Sequence, residues 1–142
     1  MSGLEYLESL EDEIENIEGN VEESEQQLEE VNNRLDAIER AMGQLGEDQE
    51  VAESLEGNKE NAESDRSNIE QQRQELAGQL EQLASQLDEA EAANENSASV
   101  LSELASIGED TSPGESVVES RRNEIQSNRN RIQSLLNRLQ GH

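Results

Sequence analysis

Residues 7–45 read LESLEDEIENIEGNVEESEQQLEEVNNRLDAIERAMGQL. Within them Leu7, Leu10, Ile14, Ile17, Val21, Ser24, Leu28, Val31, Leu35, Ile38, Met42 and Leu45 follow one another at alternating spacings of three and four. Eleven of these twelve positions are apolar in a chain that is 30% hydrophobic, where chance gives about four. A strict three-four repeat draws a seam narrower than the stripe of a globular helix, and it is the pattern of a coiled coil. Ser2 and Glu5 have the spacing of a capping box, and Gly43 and Gly46 supply left-handed conformations at the other end. Helix one is therefore expected over 3–45, with a turn over 43–48.

Beyond the turn the apolar signal thins. One phase runs through Val51, Leu55, Asn58, Ala62, Asp65, Ile69, Gln72 and Leu76. It then moves by four residues and continues as Leu80, Leu83, Leu87, Ala90, Asn94, Ser97, Leu101 and Leu104, which reads as a stutter. Helix two is expected over 49–107, with Asn94 to Ser97 as its candidate break, and a loop over 108–112. Ser112, Pro113 and Glu115 then place a cap residue, a proline at the first helical position and a glutamate at the third. Helix three is expected over 113–140, with a seam of Val118, Arg121, Ile125, Asn128, Ile132, Leu135 and Leu139.

In an antiparallel pair, facing seam positions have residue numbers with a constant sum. Met42 with Val51, Ile38 with Leu55, Leu35 with Asn58 and Val31 with Ala62 all sum to 93. Lys59, Arg66 and Arg73 then fall on the flank that meets Glu18, Glu25 and Glu39. At the other end, Leu101 with Arg121, Asn94 with Asn128 and Leu83 with Leu139 sum to 222, so that Leu135 and Leu139 should meet Leu7 and Leu10. The expected fold is all-α: a single antiparallel coiled-coil domain over 1–142, an elongated three-helix arrangement in which a long central helix is flanked by two antiparallel helices.

Composition excludes several function classes. The chain has 142 residues, a net charge of −25, one tyrosine, and no phenylalanine, tryptophan or cysteine. It therefore has no thiol nucleophile, thiolate metal site, disulfide or aromatic pocket. Its one histidine, His142, is the last residue, which leaves no His-based triad or zinc site. No stretch has the ligand spacing of an EF-hand or the glycine pattern of a phosphate loop, so no cofactor or metal is expected. No run nears the roughly 20 apolar residues of a membrane span, and no basic-then-apolar signal segment is present. The protein is expected to be soluble, without membrane insertion, cytoplasmic by default, and exported only by a leaderless route.

Charge is unevenly shared. Residues 1–45 carry −12, residues 46–108 carry −13 and residues 109–142 are neutral. Arg121, Arg122, Arg129, Arg131 and Arg138 make helix three locally basic, yet the whole molecule repels phosphate and has no interleaved aromatics for base stacking, so direct nucleic-acid binding is not expected. The expected function is a non-enzymatic protein–protein interaction module, a scaffold, adaptor or escort, whose partners are helical or basic proteins or further copies of itself. Asn58, Asp65 and Gln72, polar on the seam, and Arg121, Arg122, Arg129 and Arg131 are its candidate contact residues. An alternative is an acidic decoy for basic proteins. Another is a leaderless secretion partner: in outline the hairpin is similar to the small helical partners of bacterial type VII secretion effectors. The Trp-x-Gly turn known from one branch of that system is replaced here by Met42, Gly43, Gln44, Leu45 and Gly46.

Overall fold

The computed structural model describes residues 3–141. The expected Ser2 cap and His142 lie outside them. Three helices make up almost all of it: α1 over Gly3–Leu45, α2 over Gln49–Ser106 and α3 over Ser112–Gln140. No strand occurs among the described residues. The helices pack into two compact units, Gly19–Leu76 and Met1–Glu18 with Ala77–His142.

The α1 seam buries as its spacing requires. Leu7, Leu10, Ile14, Ile17, Val21, Leu28, Val31, Leu35 and Ile38 are all buried, and each aliphatic side chain removed from water contributes roughly 1.5–3 kcal/mol. In the Gly19–Leu76 unit, Leu28, Val31, Leu35 and Ile38 form one cluster with Ala62, joined by Met42, Leu55 and Ile69. Contacts that climb α1 descend α2: Ser24 bonds Arg73, and Arg34 bonds Asp65. The two helices therefore run in opposite directions.

Their register differs from the expected one. The Ser24–Arg73 bond puts Leu28 level with Ile69, Val31 with Arg66, Leu35 with Ala62 and Met42 with Leu55, a shift of four residues on α2. The inner face of α2 is Leu55, Lys59, Ala62, Arg66, Ile69, Arg73, Leu76 and Leu80, all buried or half-buried, whereas Asn58, Asp65 and Gln72 are exposed. The heptad phase thus continues without a stutter, and the three cations lie on the seam rather than on its flank. An aliphatic stem packs well against a neighbouring helix while its head finds a polar partner, so a lysine or arginine can replace a leucine there. Glu18 pairs with Arg131 of α3 rather than with α2.

Helix ends follow local chemistry. Gly46 follows α1 because a Cβ there would lie 2.5 Å from the Met42 carbonyl oxygen. Neither Gly43 nor Gly46 has the expected left-handed backbone, which among the described residues occurs only at Gly108, with φ 93°. Gly108 closes α2 with Gly108 N–H donating to Ala105 and Glu109 N–H to Leu104, the paired bonds of a Schellman turn. Asn94 to Ser97 do not break α2, which is continuous to Ser106. Ser97 returns its hydroxyl to the Ala93 carbonyl, a bond that a helix tolerates. Thr111 rather than Ser112 is the residue before α3; its hydroxyl donates to the Glu115 carboxylate.

In the second unit, Val118, Ile125, Asn128, Ile132, Leu135 and Leu139 are the buried face of α3, as expected. The stagger is again different, by one heptad. Gly114 packs on Leu101, Arg122 bonds Glu95, and Arg129 bonds Asp88 and Glu91. Asn94 does not pair with Asn128; its amide donates to the Val118 carbonyl at 3.0 Å. Relative to α1, Arg121 lies beside Gly3 and Arg131 beside Glu11, Glu15 and Glu18, so α1 and α3 run the same way. The start of α1 therefore meets the region of Arg121 and Ile125, not the Leu135 to Leu139 end.

Candidate functional site

The arginines of α3 divide into staples and one exception. Arg122 donates to both oxygens of Glu95, at 2.8 and 3.0 Å, and to Glu119 at 3.1 Å. The Glu95 hydrogen bond raises the Arg122 pKa above its ordinary value, and the Arg122 hydrogen bond holds Glu95 below its own. Partial burial disfavours the charge of Arg129, yet its hydrogen bonds to Asp88 and Glu91 more than compensate, and its pKa is raised. Arg131 gathers Glu11, Glu15 and Glu18. These three side chains are tied to their own chain, and each exposed pair contributes only roughly 0.2–1 kcal/mol.

Arg121 differs. Its Nε is buried and has no hydrogen-bond partner, in a chain with 35 carboxyl-bearing side chains. Its guanidinium lies where a Cβ on Gly3 would come within 3.1 Å of Cζ, so a side chain at that position would press on it. Asn94 Oδ1 is likewise buried without a partner. Both residues line a cavity of about 230 Å³ with Tyr6, Leu7, Glu89, Ala93 and Ile125. An unpartnered buried donor or acceptor costs about 1–3 kcal/mol, which makes two around one cavity a feature that calls for a group to fill them.

Arg121 also lines a wider groove of about 480 Å³ between the end of α2 and the start of α3, with Ser97, Val100, Leu101, Val117 and Val118. Val100, Leu104 and Ile107 recur at spacings of four and three and are 54%, 39% and 75% exposed, and Val117 across the groove is 48% exposed. Adjacent apolar side chains left in water in so polar a chain mark a contact surface.

The seam polar residues fare differently from the expectation built on them. Asp65 pairs with Arg34, and Asp65 and Gln72 line a polar groove of about 460 Å³ with Gln27, Glu30, Arg34 and Asn68. Asn58 is simply exposed and lines neither groove. Sequence reasoning missed Val100, Ile107 and Val117, whose signal was present: they are large apolar residues off the seam, near a glycine-ended helix. Among the described residues no group of three or more histidine, aspartate or glutamate side chains is placed to hold a metal ion, and no helix is long and apolar enough to cross a membrane. No protein-family model, curated protein or solved structure matches the chain.

Proposed function

We propose that this protein is a non-enzymatic interaction module, a scaffold, adaptor or escort, that binds a segment of another protein in the apolar groove between α2 and α3. The observation that carries this reading is the apolar lining of that groove, Val100 and Leu101 of α2 with Val117 and Val118 of α3, together with Leu104 and Ile107 exposed further along the chain from Val100. Burying such side chains against a partner is favourable at roughly 25 cal/mol per Å² of apolar surface, whereas the remainder of the surface is dominated by carboxylates that repel most acidic proteins. A leaderless secretion partner would be one form of this module.

A photocrosslinking residue at position 104, compared with one at the exposed position 53, tests the reading in the protein's native cells. The expected result is one defined partner captured from position 104 and not from 53, with capture persisting in about 0.5 M salt, where surface electrostatics are largely screened. Capture from both positions that disappears at that salt concentration would support an acidic decoy instead.

A further inference from the structure

We infer that Arg121, which lines both the α2–α3 groove and the cavity that Asn94 lines, is with Asn94 a seat for the C-terminal carboxylate of the docked partner. The inference rests on the docking reading above and adds the chemistry of the partner's end. Arg121 is the only charged residue lining the apolar groove, and it carries a buried N–H with no acceptor. The group this N–H would bind is an acceptor, and beside a guanidinium the favoured acceptor is an anion. Asn94 is 3% exposed; its amide nitrogen is engaged by Val118, and its oxygen needs a donor.

The last residue of an extended peptide meets both needs at once. Its carboxylate accepts from Arg121, and its own backbone N–H donates to Asn94 Oδ1. An acidic side chain on a docked helix brings the carboxylate without a spare N–H, because helical N–H groups beyond the first turn are already bonded. Apolar side chains before the terminus would then occupy the groove of Val100, Leu101, Val117 and Val118. Both unpartnered atoms are shut off from water, so the side chains around them must part as the carboxylate enters.

The test uses the full chain and a fluorescein-labelled peptide ending in Ala-Leu-Val, as the free acid, as the C-terminal amide, and extended past the valine by Asp-Ser-Gly-amide. Fluorescence anisotropy should show the free acid binding about tenfold or more tightly than the other two, the loss expected for a charge-assisted hydrogen bond. Arg121→Gln should abolish that preference and Arg121→Lys should keep part of it. Arg122→Gln, which removes an ion pair on the same helix, should leave the ratio unchanged. Equal binding of acid and amide, equal binding of the extended peptide, or no binding of the acid at millimolar peptide would overturn the inference. Crosslinking from position 104 separates it from the docking reading: a native partner captured as efficiently after Arg121→Gln removes the carboxylate seat and leaves the groove.

Discussion

Arg73 donates a 2.8 Å hydrogen bond to the hydroxyl of Ser24, and with exposures of 5% and 3% both residues are inside the α1–α2 interface. Ser24 is the single polar residue in a seam of twelve, and it lies where the opposite helix brings a cation. Its hydroxyl in turn donates to the Val21 carbonyl at 2.7 Å, so Ser24 passes part of the charge on to the backbone.

Removing one partner of this bond leaves the other short of a hydrogen bond in a buried place. Ser24→Ala should lower stability by about 1–3 kcal/mol. Arg73→Met should lower it as well, and the double variant should fall by clearly less than the sum. Urea denaturation of the four proteins checks this. Strictly additive losses would show that the bond carries no coupling.

Register can be read directly from crosslinking. Cysteines at positions 35 and 62 should form a disulfide on mild oxidation, since Leu35 and Ala62 are level in the observed pairing. Cysteines at 35 and 58 should not, because Asn58 is exposed, off the inner face of α2. The opposite outcome would restore the register shifted by four.

Glycines separate into two kinds by their surroundings. Gly57 and Gly78 are within α2 with nothing within 4 Å of an added Cβ, so Gly78→Ala should raise stability by about 0.5–1 kcal/mol. Gly108 has φ 93°, and Gly108→Ala should lower it by about 1 kcal/mol or more. Thermal melts followed by circular dichroism compare the two, and equal shifts of the same sign would contradict the assignment.

Acid should act in two opposed stages. Between about pH 7 and 5 protonation relieves repulsion in a chain of net charge −25, and added salt does the same, so the melting temperature should rise. Below that range the sign reverses for Asp110 and Glu95. The Ser112 backbone N–H holds the Asp110 carboxyl below its ordinary 3.8, and the Arg122 hydrogen bond holds Glu95 below 4.5. A carboxyl whose pKa is depressed by folding contributes stability above its unfolded pKa and loses it as pH falls through the folded value. Stability should therefore decline below about pH 4, and Asp110→Asn with Glu95→Gln should flatten that decline. An acid limb unchanged in the double variant would assign it to other groups.

The α1 and α3 seams were legible because apolar residues mark eleven of twelve positions of the first and five of seven of the second. The α2 seam was misread between residues 55 and 76, where apolar residues are sparse and the phase chosen through Asn58, Asp65 and Gln72 put Lys59, Arg66 and Arg73 on the flank. A stutter was then needed to rejoin Leu80. The continuous phase was present in the spacing of seven that links Lys59, Arg66, Arg73, Leu80, Leu87, Asn94 and Leu101, and Ser24 was the matching irregularity on α1. Once the register of α2 was misplaced, the predicted contact residues Asn58, Asp65 and Gln72 were misplaced with it. Arg121 was read as one of the basic residues of α3; that its Nε is buried without a hydrogen-bond partner is a property of tertiary packing that no spacing reveals.

Arg131 reaches back across 113 residues to Glu18, whereas the contacts of the Gly19–Leu76 unit join residues 31 and 49 positions apart. A chain emerging from the ribosome forms short-range pairings first. The hairpin can thus close while α3 is still being made. Leu7, Leu10 and Ile14 must wait until α3 has been synthesised before all the neighbours of their unit exist, which leaves the first turns of α1 open to chaperones or proteases for longer than the hairpin during translation.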